Sequence, residues 1–293
     1  IWPRLISLTS YGGTLEESEM WLAKSVTKVD DITYDVELYD YIKDCQGNPI
    51  KADDVIWSYE QATTVGEMTE VGGVTKSVEK IDDIHLRFTL TGKGAGKAEV
   101  MLGFHRMTIC NKAWHEGASE EGRRVNAATA AAYYVKEFVT GSKVVIEAVD
   151  NYWQTDEALK GIPGQQNVKT IYCPIITEKP VRAAALQNGE IDYGQVDISA
   201  RENFVNADGT PKDGFRVATT GGATCIDLFM NMDTESDSVV ANNLPLRQAM
   251  LYAIDRESCL LAAGFDLNSG WVCYDIGTPL MAGFQEEWKD TWF

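Results

Sequence analysis

Residues 51–59 read Lys51-Ala52-Asp53-Asp54-Val55-Ile56-Trp57-Ser58-Tyr59, and the chain on either side gives that stretch its meaning. Upstream, residues 32–38 alternate, with Ile32, Tyr34, Val36 and Leu38 on one face and Thr33, Asp35 and Glu37 on the other. That period of two predicts a half-buried strand. Between the two lies Asp44 to Pro49, where Gly47 and Asn48-Pro49 predict a turn. Asp53 is then placed to cap a helix that carries Val55, Ile56, Tyr59 and Ala62 along its length.

Downstream, Val74, Lys76 and Val78 begin another extended stretch and Asp82-Asp83 makes a turn. A return strand follows, with Ile84, Leu86, Phe88 and Leu90 on one face and His85 and Arg87 on the wet one. Tyr133–Val139 and Val144–Val149 flank Gly141-Ser142, the pattern of a second hairpin, while Ala127 to Ala132 favours helix by propensity. Gly161 to Gly164 offers a crossing point between subdomains. Beyond it the rhythm becomes α/β. Val168–Cys173 reads as a strand, Thr177–Asn188 as a helix capped by Thr177 and stopped by Gly189, and Ile191–Tyr193 as a short strand. Phe215–Thr219 and Cys225–Met230 add strands, and Leu246–Ala253 and Ser258–Ala263 read as helices around Asp255. No internal repeat is present.

The 293 residues are 44% hydrophobic and 24% charged, the composition of an ordinary globular chain, with room for one or two lobes. The formal net charge is −18, which repels a phosphate backbone and argues against a nucleic-acid partner. No window approaches the ~20 apolar residues that cross a bilayer. The opening Ile1-Trp2-Pro3-Arg4 has neither Met nor an export segment, so a processed or truncated chain is expected. Cys45, Cys110, Cys173, Cys225, Cys259 and Cys273 are widely spaced, without CxxC pairs or nearby histidines, so a metal site is not expected. Spacing alone cannot choose a pairing, and free thiols are the expectation.

Several stretches invite a chemical reading and fail it. Gly92-Lys93-Gly94-Ala95-Gly96-Lys97-Ala98 suggests a phosphate loop, but its glycines are too close and Ala98 stands where Ser or Thr would hold a cation. His85, His105 and His115 are the available bases, none at metal-site spacing, and no nucleophile elbow accompanies them. Neighbouring carboxylates such as Asp53-Asp54 and Asp82-Asp83 are better explained by a cap and a turn. Asn206-Ala207-Asp208-Gly209 lacks the spaced oxygens and closing Glu of a calcium loop.

Residues alone thus lead to an acidic, non-catalytic α/β protein, and four motifs lead further. Lys51 to Tyr59 resembles the "tAdDVvwSye" signature of the family 5 solute-binding proteins, of the oligopeptide-binding type. Tyr133-Tyr134-Val135-Lys136-Glu137-Phe138, through Gly141-Ser142-Lys143 to Asp150-Asn151-Tyr152-Trp153, resembles "GPYvvkefvpGskvvlerNpdYW". Asn188-Gly189-Glu190-Ile191-Asp192 is similar to "sGEiD". Phe229-Met230-Asn231 with Leu244-Pro245-Leu246-Arg247-Gln248-Ala249-Met250 and Ala253-Ile254-Asp255-Arg256 is similar to "fN" and "vRqAlayAiDre". The motifs stand in the family's order. One departure is Thr129-Ala130-Ala131-Ala132, where the family has Gly-Thr-Gly-Pro.

The resemblance implies a two-lobed, periplasmic-binding-protein-like type II α/β fold. Residues 1–43 and 164–231 would form the first lobe's core, 44–163 an inserted subdomain, and 232–293 the start of a second lobe that continues beyond this chain. It implies reversible capture of a small solute, short peptides being the default, and delivery to an ABC permease at the membrane, by a monomer without cofactor, metal or bond-making chemistry. The cleft wall would draw on Thr224, Cys225 and Asp227, from the strand leading to Asn231, and on Arg4 and Leu5, from the N-terminal strand. The implied location is extracytoplasmic, either periplasmic or as a membrane-anchored lipoprotein. The alternative is a sensor or adhesion module that keeps the fold without transport.

Overall fold

The computed structural model describes residues 2–8, 15, 18–62, 64, 69–92, 104–125, 127–156, 166–196, 198–218, 228–263, 272 and 287. The chain divides into two compact bodies, Ile1–Ile175 and Ile176–Phe293.

The first body carries three antiparallel sheets. β1 (Ile6–Leu8) pairs with β2 (Ser18–Met20). β3 (Ala23–Lys28), β4 (Thr33–Leu38), β5 (Thr75–Lys80) and β6 (His85–Leu90) form a four-stranded sheet in the order β3-β4-β6-β5. β7 (Tyr133–Val139), β8 (Lys143–Ala148) and β9 (Thr170–Pro174) form the third. Among the described residues this body also carries helices α1 (Ala52–Ala62), α2 (Thr69–Val74), α3 (Lys112–Gly117) and α4 (Glu120–Arg124).

The alternation read in residues 33–38 is what the sheet uses. Tyr34, Val36 and Leu38 face inward with Leu86, Phe88 and Leu90 of β6, all buried, while Arg87 on the opposite face makes a two-pronged ion pair to Asp35 across the strands. Tyr59 of α1 meets Phe88 edge-on at 5.0 Å, and Phe104 meets Phe88 at 5.1 Å. Each such ring withdrawn from water contributes about 1.5–3 kcal/mol, which is why this cluster anchors the body. Ile32, expected on the inward face, lies just before β4 and is exposed; the Asp30 carboxylate accepts from the Ile32 and Thr33 amides and turns the chain there.

Two local expectations are corrected. Asp53 does not cap α1. Asp54, third in the helix, reaches back to the Lys51 amide at 2.8 Å, and its other oxygen accepts from the Lys112 amide at 2.8 Å, so one buried carboxylate both closes the helix start and ties down α3. Asp53 instead pairs with Lys80 at 2.7 Å. Nor is Ala127–Ala132 helical. It crosses the core as irregular chain because its carbonyls serve other segments: Thr129 accepts from the Cys45 amide, Ala130 from Trp153 Nε1 at 2.6 Å, and Ala132 from Val149 and Gln166. The run is buried along its length. Gly47 and Gly141 hold the predicted turns with φ of 88° and 71°.

The second body carries α5 (Lys179–Gln187), a 3₁₀ helix (Ile198–Asn203), α6 (Leu244–Ala253) and α7 (Arg256–Ala262). Gly189 ends α5 as expected: its φ is 71°, its amide bonds to Leu186 O, and the Glu190 amide bonds to Ala185 O at 2.8 Å. Thr177 is not the cap. The helix begins after Glu178, which makes no side-chain capping bond, with Pro180 in the first turn fixing the backbone for entry. Asp255 caps α7 as expected, accepting from the Ser258 amide at 3.0 Å, and Asn243 caps α6. Asn206 to Gly209 forms the expected turn. Ile191–Tyr193 and the described parts of Phe215–Thr219 and Cys225–Met230 are not strands, because each lacks a neighbouring strand to pair with among the described residues. A small apolar cluster of Ala183, Phe204 and Val205, with Phe215 perpendicular to Phe204 at 5.0 Å, holds this body's described core. The crossing expected at Gly161–Gly164 and the Lys93–Ala98 stretch lie outside the described residues.

Candidate functional site

The N-terminal segment is the part of the expected cleft wall that the structure describes. Its backbone is engaged on both sides. Pro3 O accepts from the Ile109 amide at 2.9 Å, Arg4 O from Leu22, and Leu5 O from both Trp21 and Ala23. Leu5 is fully buried in the main core. Arg4 is half-buried, and its Nη1 lies 3.0 Å from His105 Nε2, while its Nε is enclosed without a hydrogen bond. Burial first and Arg106 second lower the Arg4 pKa. His105 is also lowered, by burial and then by Arg4, against an opposing backbone hydrogen bond with Ile6. Thr224, Cys225 and Asp227 lie outside the described residues, so the structure does not bring them together with Arg4 and Leu5.

A second grouping joins Tyr152-Trp153, the end of one family motif, to Tyr39 and Tyr41, which no motif singled out. Tyr39, Tyr41, Tyr152 and Trp153 pack ring against ring at 5.4–6.0 Å, and Trp21 Nε1 donates to the Tyr152 hydroxyl at 3.3 Å. The Tyr39 hydroxyl donates to Asp156 at 3.0 Å, and burial together with that carboxylate pushes the phenol far above its ordinary range. The grouping is a structural brace: Trp153 anchors the alanine run, and Tyr39, just after β4, donates its amide to Leu22 O.

The groups that could do covalent chemistry are otherwise occupied. His85 is bonded to Asp82 beside the turn, His105 to Arg4, and His115 packs on the Trp57 ring at 4.9 Å. Among the described cysteines Cys45, Cys110, Cys173 and Cys259 are free thiols, Cys225 and Cys273 lie outside the described residues, and burial pushes Cys110 up to about 11, which keeps it protonated at neutral pH. Among the described residues no three His, Cys, Asp or Glu side chains converge as a metal site, and no helix is long and apolar enough to cross a membrane.

The sequence profile of the bacterial extracellular solute-binding proteins, family 5, matches residues 17–290. The chain belongs to that family. Among curated relatives, the oligopeptide-binding protein AppA of Bacillus subtilis is 24% identical over 279 residues, covering 91% of this chain and 47% of its own length. The probable peptide-binding protein YejA of Agrobacterium fabrum is 28% identical over 191 residues, covering 61% of this chain and 30% of its own. This family 5 chain therefore spans less than half the length of those relatives. The crystal structure of B. subtilis AppA with a nonapeptide overlays 98% of the chain with a TM-score of 0.75 at 21% identity, covering 54% of AppA. NikZ of Campylobacter jejuni, in complex with Ni(L-His), overlays 89% with a TM-score of 0.65 at 20% identity, covering 49% of NikZ. The fold is thereby the periplasmic-binding-protein-like type II α/β fold expected from the four motifs.

Proposed function

We propose that the protein captures a short peptide outside the cytoplasm and hands it unchanged to an ABC importer's permease. The observation that carries this reading is the match over residues 17–290 to a family of solute-binding proteins, joined to the two curated relatives named as peptide-binding proteins that it resembles over part of their length. Capture would follow from closure of two lobes on the ligand, contacts from both favouring the closed form. The Cys110 thiol, held protonated by burial, and the engaged histidines fit a binding protein that makes and breaks no bond.

The wall of the cleft, in this reading, is formed by Thr224, Cys225 and Asp227 with the N-terminal segment at Arg4 and Leu5. The buried position of Leu5 favours a supporting part for it, and the backbone of the segment is committed to the core. The first lobe's core comprises 1–43 and 164–231 with 44–163 inserted, except that β3 and β4 are better counted with the insert, since they share one sheet with β5 and β6. Residues 232–293 open the second lobe. The protein acts as a monomer, and a lipid anchor or a periplasmic space would keep it near the membrane.

The Ni(L-His) complex of NikZ favours one second reading, in which the cargo is a metal chelate. Titration calorimetry of the full-length protein against a peptide library and against nickel–histidine separates the two. Saturable heat with peptides alone supports the proposal, and heat with the chelate alone replaces the cargo.

A further inference from the structure

The two hairpins of the four-stranded sheet share more than alternation. Lys24-Ser25-Val26-Thr27-Lys28-Val29-Asp30-Asp31-Ile32 recurs 52 residues later as Lys76-Ser77-Val78-Glu79-Lys80-Ile81-Asp82-Asp83-Ile84, which corrects the expectation that the chain holds no internal repeat. Carried on to Leu38 and Leu90, the match makes eight of fifteen residues identical. The bonds repeat with the letters. The Asp30 carboxylate accepts from the Ile32 and Thr33 amides at 2.9 and 2.8 Å, and that of Asp82 from Ile84 and His85, both at 2.9 Å. Lys28 pairs with Asp31 as Lys80 does with Asp83. The register slips between Ala23 and Ser25 in β3 and between Thr75 and Ser77 in β5. Where β4 meets β6, the Leu38 amide donates to Ile84 O at 2.8 Å and the Leu90 amide to Ile32 O at 2.7 Å. Tyr34 faces Phe88 and Val36 faces Leu86, so Tyr34 meets the counterpart of Val36 and Val36 that of Tyr34. Of the five facing pairs only Asp35 meets its own counterpart, Arg87, which puts a local two-fold axis through that pair.

We propose that β3–β4 and β5–β6 are two copies of one self-pairing hairpin fused in a single chain. Asp35 and Arg87, on the axis between them, make unlike copies pair within the chain and keep like copies of separate molecules apart. A two-fold seam is self-complementary, so the backbone and apolar face that join β4 to β6 in one molecule could also join β4 to β4, or β6 to β6, of two. Both strands present three buried apolar residues to such a partner, Tyr34, Val36 and Leu38 on one and Leu86, Phe88 and Leu90 on the other. The axis residues separate these outcomes. Unlike pairing gives the two-pronged bond, Arg87 Nε to Asp35 Oδ1 at 2.7 Å and Nη2 to Oδ2 at 2.8 Å, whereas like pairing sets two carboxylates or two guanidiniums face to face. The pair is partly exposed, so it holds the seam weakly, and its effect lies in the choice of partner. At the outer edges the choice is already made: β3 and β5 carry the irregularity and an exposed lysine, Lys24 or Lys76, features that discourage a further strand.

Refolding of the full-length protein at high concentration, read by native mass spectrometry, tests this in three forms. One is the unaltered protein and one is D35T/R87T, with an uncharged axis. The third, T27E/D35R/E79T/R87D, reverses the whole cross-strand row Thr27–Asp35–Arg87–Glu79 about the axis. The uncharged form should give several-fold more dimer than the unaltered protein, and the reversed form should return to the unaltered level. An uncharged form as monomeric as the unaltered protein, or a reversed form as dimeric as the uncharged one, would overturn the proposal. Should the variants fail to fold, hydrogen exchange of the unaltered protein decides it. The Leu38 and Leu90 amides, bonded crosswise over the seam, should then open with constants that agree within about threefold, and a larger difference contradicts a shared axis.

Discussion

The two bodies were built from sequence signals of similar strength and turned out differently. In residues 1–175, strand alternation and turn chemistry deliver sheets that pair, and the paired sheets enclose Phe88, Phe104, Leu86 and Leu22 completely. In residues 176–293, equally clear helix starts and stops deliver α5, α6 and α7, yet Tyr252, Leu261 and Val239 remain exposed and the described core is a handful of side chains around Phe204. Caps and periods thus specify elements, while long-range burial specifies a body, and only the first of these is written locally.

That contrast can be broken by paired substitutions. Phe88→Ala should cost about 3–5 kcal/mol, because a ring wedged between Tyr59 and Phe104 leaves a cavity that cannot close. Phe204→Ala should cost less, about 2 kcal/mol, since the few residues around it can settle into the gap. Native-state hydrogen exchange, read separately for each body, measures both, and equal losses would erase the distinction drawn above. A second pair of substitutions sharpens the same point at the level of caps. Asp54→Ala strands two amides, those of Lys51 and Lys112, in a buried setting and should cost about 2–3 kcal/mol. Asp255→Ala exposes one helix start to water and should cost about 1 kcal/mol in the exchange of α7. Urea titrations of the two variants would show the shallower loss in D255A, and the reverse order would mean that Asp54 is not the tie between α1 and α3.

Much of the fold was legible because short-range chemistry agreed with the final packing. Tyr34-Asp35-Val36-Glu37-Leu38 could only be a one-sided strand, and Gly141 and Gly189 sit where positive φ is needed. The misreadings share one cause, a local preference overruled by a distant partner. Ala127–Ala132 prefers helix, but Trp153, Cys45 and Gln166 claim its carbonyls. Asp53 and Asp54 are neighbours of the same type, and which one caps was decided by Lys80 and by the Lys112 amide, neither visible in the motif. The site was less legible still. The first family motif proved to be core and a helix start, the third a helix end and the fourth largely caps with Phe229 exposed, and of the residues expected at the cleft only Arg4 and Leu5 are described, the latter buried. Nothing in spacing could announce the contact between Arg4 and His105, because each is unremarkable alone.

The central claim is that this chain belongs to a protein that holds a peptide without altering it. Native mass spectrometry of the full-length protein, loaded with a defined peptide mixture and then unfolded in acid, measures this in one experiment. The account predicts a single bound peptide per protein and release of the same mass that was added. A protein that retains no peptide, or that releases shortened ones, would contradict it.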